Sequence, residues 1–498
     1  MLLETVAALT VAWAITSIIE SLWQPQPTLP RVGADPGPLS LRAWWARWKW
    51  YQSGHNDIIQ HYHHQKTHGT NYVVHTLMGN TIVLVPKFLG ELNMLPESQL
   101  SSTAALVDRV MSQYSGVDLL LRDHLTSDIC RGPFTRNLPT FLPLMYEELD
   151  KAMLEMLNPK AGQDPQPHVA FELLYSITHR ISSRVFVGKR HCQHPSWTRA
   201  VTDLPVNVEI TKFLLLPFPS LLRRYVAPLI PQRNHIFRQR KEARDALFPP
   251  GDVVAGDEPS VLKLFIESNR DRDPDSITAR LLLLTAAALH TSTMAATHAL
   301  FDLCARPEHV QSLRRETELA LAESNGVWKY STVKKLRRLD SFLKESQRLN
   351  QSTFLGFDRK VISTITLSDG TILPPGSLIM VPGGPMSRDP DFYDNPGSFD
   401  GFRFYSPNAA PNQHGSSATE QDYTGIEPGN LSWGNGRFTC PGRWYGAAMI
   451  KLILGNILLR YDVSFPEGQK GRPENIKYDT EVHPDFGSKI CFAKRRME

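Results

Sequence analysis

Charged residues thin out in two long stretches of this chain, and both carry a helical pattern. Residues 281–301 contain no Asp, Glu, Lys or Arg. Asp273-Pro-Asp-Ser276 ahead of them is a helix start with Ser276 as its cap, and Arg306-Pro307 closes the run. A helix from there to Ala305 has about thirty residues, roughly 45 Å at 1.5 Å each, enough to cross a whole domain. Thr285, His290, Thr291, Ser292, Thr293, Thr297 and His298 are too many polar groups for a lipid-facing span, which predicts a buried core helix. Residues 444–459, Trp-Tyr-Gly-Ala-Ala-Met-Ile-Lys-Leu-Ile-Leu-Gly-Asn-Ile-Leu-Leu, carry a single charge, Lys451, and predict a second apolar helix.

Shorter patterns add a small β portion. Gly-Asn-Thr-Ile-Val-Leu-Val-Pro at residues 79–86 is strand-like and stops at proline, and Asp369-Gly370 between strand-like runs predicts a hairpin. Residues 2–23 form the one apolar terminal segment. Between Glu4 and Glu20 lie 15 uncharged residues. With both glutamates at the interfaces this makes a single membrane span, residues 1–23. A cleaved signal peptide needs a basic residue ahead of the apolar run, and none is present. Arg31, Arg42, Arg47 and Lys49 all follow the segment, which leaves the body cytosolic. Residues 24–40, rich in proline, predict a stiff hinge, and residues 41–498 a single body.

Composition narrows the classes. The chain has 498 residues, 41% hydrophobic and 21% charged, a globular balance with material for a large core. A net charge of +4 with no long basic run gives nothing that points to nucleic acid. Cys130, Cys192, Cys304, Cys440 and Cys491 are scattered and lack CxxC spacing, against a disulfide framework or zinc site and for a reducing compartment. His61, His64 and His68 share a helical face, but no cysteine or suitably spaced acid completes a metal set, so a solvated surface is the expectation.

The chemistry concentrates at residues 433–443, Trp-Gly-Asn-Gly-Arg-Phe-Thr-Cys-Pro-Gly-Arg. Gly434 and Gly436 allow a tight turn. Pro441 suits a first helical turn, which sets Cys440 at the positive end of a helix dipole, where the metal-binding thiolate is favoured. Gly442, with no side chain, lets a flat ligand approach the backbone. A cysteine merely buried in a glycine turn is the plainer alternative. The full spacing (aromatic, two residues, Gly, three residues, Cys, one residue, Gly) resembles the heme loop of the cytochrome P450 family, with Trp433 where Phe is usual.

Separate segments extend the resemblance in order. Ala287-Ala-Leu-His-Thr-Ser-Thr293 is similar to the family's oxygen-binding groove, with Ala287 and Ala288 leaving space, Thr291 as its hydroxyl and Ser292 or His290 as helpers. Position 290 usually carries an acid; fungal members do have Ala-Ala-x-His-Thr. A threonine bonded to its own i−4 carbonyl is the plainer account of Thr291. Glu345 and Arg348, with Arg403 later, resemble the family's buried three-charge lock. The segment from Gln351, with Thr353, Phe354 and Leu355, resembles a substrate-facing strand, and residues 201–219 part of a substrate roof. Arg359, Arg437, Arg131 and His124 are candidate partners of the heme propionates, because Phe438 occupies the position that often holds a cation.

The resemblance implies a mainly α protein with a small β portion and a cytochrome P450-like fold. It implies heme b ligated by Cys440, whose thiolate pushes electron density toward bound O₂. The partners implied are O₂, an NADPH–cytochrome P450 reductase docking on the cysteine side, a small apolar substrate and the endoplasmic reticulum membrane. The implied reaction is monooxygenation of a terpenoid or indole-alkaloid type scaffold of fungal secondary metabolism. Oxidative coupling or desaturation by the same heme is the alternative, and a non-catalytic heme sensor a remote one.

Overall fold

The structure is a computed structural model. It describes residues 11, 13–19, 28–33, 41–77, 79–116, 118–157, 166–249, 258–406 and 422–495. The central helix runs Pro274–Ala305, 32 residues. Its N-cap is Asp273, whose carboxylate accepts the amides of Asp275 and Ser276. Ser276, expected as the cap, instead lies in the first turn, because Pro274 at the first helical position fixes the start three residues earlier. Helices Ala170–His191, Pro231–Leu247, Arg337–Leu349 and Arg443–Arg460 pack around it, and together they form the largest apolar core.

Helix Arg443–Arg460 is buried over most of its length, as its sequence requires. Its one interior charge is answered: Lys451 Nζ lies 2.7 Å from Asp340 Oδ2, and both side chains are buried. The β portion is a six-stranded sheet ordered Arg31–Val32, Tyr72–Thr76, Gly79–Val83, Leu378–Val381, Gly356–Val361, Leu100–Ser101. A three-stranded sheet (Tyr461–Ser464, Lys489–Lys494, Pro167–Val169) and two hairpins complete it. One hairpin is the Asp-Gly turn, with Gly370 at φ 85° between Ile365–Thr366 and Ile372–Leu373. The other joins Ile476–Tyr478 to Glu481–His483.

Residues 1–23 and 24–40, assigned by sequence to an anchor and a hinge, lie outside the described residues except at 11, 13–19 and 28–33. Among the described residues no helix is long and apolar enough to cross a membrane.

Candidate active site

The cysteine loop is built by its glycines. Gly434 and Gly436 adopt φ 80° and 62°. A methyl group on Gly434 would lie 3.1 Å from the Phe438 carbonyl oxygen, and one on Gly436 would collide with Asn93. The Cys440 amide donates to the Trp433 carbonyl at 2.7 Å, which closes the loop. The indole of Trp433 donates to the Tyr423 carbonyl at 2.7 Å, so the aromatic position clamps the loop to the core. Helix Arg443–Arg460 starts after Gly442 as N-cap, so Pro441 precedes the helix rather than occupying its first turn.

Burial pushes the Cys440 thiol up; the amides of Gly442 and Arg443 and the charges of Arg443 and Arg131 pull the other way. Burial is the larger of the two influences, so the chain by itself disfavours the thiolate. Arg443 was not among the sequence candidates, although a basic residue three positions after the cysteine was the available signal. Gly442 has no atom within 4 Å of where a side chain would begin, which leaves open space beside the sulfur-bearing turn.

On the central helix, Ala287 and Thr291 are exposed in the middle of a mostly buried element. The Thr291 hydroxyl donates to the Ala287 carbonyl at 2.8 Å, the i−4 bond, which spends its hydrogen and leaves its lone pairs available. Ala288 is partly buried. Ser292 turns away from this face: it is buried, and a methyl group on Gly446 would lie 3.6 Å from its Oγ. One residue on a helix is a rotation of about 100°, so Ser292 seals the two helices together and does not share the groove with Thr291. His290 packs edge-on to Tyr175, ring centroids 5.4 Å apart, and its buried Nε2 has no hydrogen-bond partner among the described residues.

Of the four candidate propionate partners, three gather near the loop. Arg359 is buried between Phe357 and Phe438, 4.1 and 4.8 Å from the ring centroids, and burial pushes it down to about 10. No carboxylate lies within ion-pair distance of it among the described residues. Arg437 stacks on the same Phe438 at 5.1 Å, and Arg131 Nη2 donates to the Arg437 carbonyl at 2.9 Å. His124 does not join them. It is an exposed residue at the start of the short helix Leu125–Ile129, where the local fold turns it to solvent.

Glu345 lies fully buried between Arg348 and Arg403, 2.7 and 3.1 Å from their Nε atoms. The remaining donors are used: Arg348 Nη1 reaches the carbonyls of Ser387 and Pro396 at 2.6 and 2.8 Å, and the Asp400 amide donates to Glu345 at 2.9 Å. The pocket candidates after Gln351 behave differently from expectation. The strand begins only at Gly356, and residues before it are irregular. Without strand alternation, Phe354 and Leu355 both turn into the core with Trp50 and Ile58, and Phe354 stacks on His55 at 5.6 Å. Thr353 bonds the Leu355 and Thr480 carbonyls at 2.9 and 3.0 Å.

A mainly helical body in which a glycine-built cysteine loop leads into a helix packed on the middle of the central helix, at Ser292, has the architecture of a heme-thiolate protein. Residues 38–490 match the family model of cytochrome P450. The chain is 32% identical over 427 residues to the cytochrome P450 monooxygenase AN1598 of Emericella nidulans, covering 83% of this chain and 79% of that protein. It is 31% identical over 464 residues to the ent-kaurene oxidase of Gibberella intermedia, with 91% and 86% covered. Among solved structures it is similar to a retinoic acid-bound cyanobacterial CYP120A1, with TM-score 0.65, 16% identity and 95% and 100% of the two chains covered, a likeness of fold. The chain belongs to the cytochrome P450 family: it is an oxidoreductase, and its cofactor is heme iron. The residues present fit that group, in the sulfur of Cys440, the open space at Gly442 and a buried guanidinium, Arg359, lacking an anion.

Proposed function

We propose that this chain is a membrane-anchored monooxygenase of fungal secondary metabolism that oxidises an apolar scaffold of terpenoid or indole-alkaloid type. The observation that carries the class of chemistry is the glycine-built cysteine loop running into a helix that packs, at Gly446, on Ser292 of the helix that bears Thr291. The substrate class is supported by the 31% identity to an ent-kaurene oxidase over most of both chains. Heme iron, when bound, supplies the activation of O₂. Cys440 would hold it from the loop, and Arg359 and Arg437 would pair with its carboxylates. Ala287 and Ala288 leave room at the helix, and Thr291 offers a hydroxyl oxygen that accepts and passes a proton. The lock at Glu345 fixes the segment behind the loop and takes no part in the reaction.

The same reading places the anchor in residues 1–23, the hinge in 24–40 and the catalytic body in 41–498, at the endoplasmic reticulum with an NADPH-dependent reductase as electron donor. Phe213, Leu214, Leu221, Tyr225 and Leu229 are exposed apolar side chains, and the Trp13 indole donates to the nearby Pro217 carbonyl at 2.9 Å. That grouping supports a face turned to lipid. Microsomes carrying the chain, given candidate scaffolds under ¹⁸O₂, test the reaction. Label in the product is expected; loss of two hydrogens without label would mean coupling or desaturation instead.

A further inference from the structure

Arg359 has no ion partner, although two carboxylates stand near it. Burial pushes its guanidinium down, and the charges of Glu97 and Asp358 resist that push. Its hydrogen bond goes elsewhere, from Nη1 to the Asp358 backbone carbonyl at 2.8 Å. The helix Ser102–Arg109 accounts for this at both of its ends. At its start, Glu97 Oε1 accepts the Ser101 hydroxyl at 2.7 Å and the Thr103 amide at 3.0 Å, while Ser101 caps the helix. At its end, Arg109 Nη2 lies 2.5 Å from Asp358 Oδ2. Lys360, the other cation on that strand, is engaged by Asp108 at 2.5 Å, so Arg109 is the residue that answers Asp358. Each carboxylate keeps one oxygen, Glu97 Oε2 and Asp358 Oδ1, that is buried and has no partner among the described residues. A buried acceptor without a donor is costly, so either oxygen would take a guanidinium offered to it.

The strand Gly356–Val361 keeps these groups apart. Gly356 and Arg359 pair with Val381 and Ile379, so this strand carries one residue more than its partner over the same length. That bulge sets Phe357 at φ 57°, a left-handed conformation that a bulky side chain rarely enters. Beyond it Arg359 is buried against the rings of Phe357 and Phe438, whereas Asp358 and Lys360 are partly exposed and meet the helix. We propose that Arg109 is a positioning residue: by holding the Asp358 carboxylate, it keeps Arg359 unpaired and available to a carboxylate of the cofactor. The first turn of the same helix holds Glu97 off in the same way. This rests on the reading that Arg359 meets a heme carboxylate. Without the Arg109 cation, Asp358 pairs with the guanidinium of its own neighbour, and the cofactor meets an arginine already neutralised.

The test follows heme transfer from the full heme-loaded chain to apomyoglobin. The chains compared are wild type, Arg109→Met, Arg109→Met/Asp358→Asn, Arg359→Leu and Arg109→Met/Arg359→Leu. Arg109→Met is expected to release heme about tenfold faster, the scale of one charged hydrogen bond. Adding Asp358→Asn should return the rate to within about twofold of wild type, because no neighbouring carboxylate is left to capture Arg359. A purely structural ion pair predicts no recovery, since the double variant lacks both partners. On the Arg359→Leu background, Arg109→Met should change nothing. A tenfold effect there would mean that the Arg109 charge acts on the cofactor directly, and overturns the proposal. When Arg359→Leu itself releases heme faster, an unchanged rate in Arg109→Met or no recovery in the double variant also overturns it. Unchanged release in Arg359→Leu overturns the carboxylate reading beneath it. Should Arg109→Met fail to fold, Asp358→Asn alone decides: release at or below the wild-type rate supports the proposal, and faster release overturns it.

Discussion

Arg348 and Arg359 are both buried arginines, and the chain treats them in opposite ways. Arg348 shares two 2.7 Å bonds with Glu345 and spends its remaining donors on backbone carbonyls. Arg359 makes one hydrogen bond, from Nη1 to the Asp358 carbonyl at 2.8 Å, and otherwise faces two phenyl rings. Burial pushes it down to about 10 against the favourable charges of Glu97 and Asp358, and neighbouring Arg437 adds to the push. A buried cation that lacks an anion is costly to keep. Arg348 is completed by the chain; Arg359 is completed only when an anion arrives. One belongs to the fold, the other to the ligand.

The largest effect should come from breaking the complete set. Glu345→Ala leaves two buried guanidiniums facing each other and should cost about 3–5 kcal/mol of stability. Denaturant unfolding checks it, and a loss confined to heme content at unchanged stability would erase the contrast. Arg359→Leu should do the reverse. The apo chain should keep or gain stability, while heme affinity, measured by transfer to apomyoglobin, falls roughly ten- to a hundredfold, the worth of about 1.5–3 kcal/mol for a charged hydrogen bond. Thr291→Ala should leave both quantities unchanged and raise peroxide released per NADPH several-fold, measured in the reductase-coupled system; unchanged coupling removes Thr291 from the reaction.

A smaller effect lies at the hairpin turn. Burial raises Asp479 from 3.8 to about 6, against the Trp50 indole bond at 2.8 Å. The folded chain therefore holds a proton there that the unfolded chain gives up above its own value. That stabilisation is fully present below 3.8 and is lost as pH rises through about 6. Asp479→Asn keeps the acceptor and should flatten the melting temperature between pH 4 and 7, a slope that differential scanning fluorimetry resolves.

Local spacing made part of this legible. The uncharged run at residues 281–301, with its seven polar side chains, pointed to a core helix over a membrane span, and the i,i+3 pair Glu345–Arg348 lies on one helical face whatever surrounds it. The glycines of the loop declared its turns. What the sequence concealed depends on direction and distance. Phe354 and Leu355 sit on irregular backbone, where no period says which way a side chain points. Ser292 is next to Thr291 in sequence and about 100° away around the helix. The isolation of Arg359 is a fact about neighbours that are far apart in the chain. His483 lies 189 residues from the Met294 it touches, and only the i,i+2 spacing of Glu481 and His483 hinted that the two share a strand face.

The central claim is that Cys440 is the residue by which this chain holds heme iron. The reduced-CO difference spectrum tests it most directly. The wild-type chain should give the red-shifted Soret band of a thiolate-bound heme, and Cys440→Ala should lose it completely; a band of that position surviving in Cys440→Ala would contradict the account.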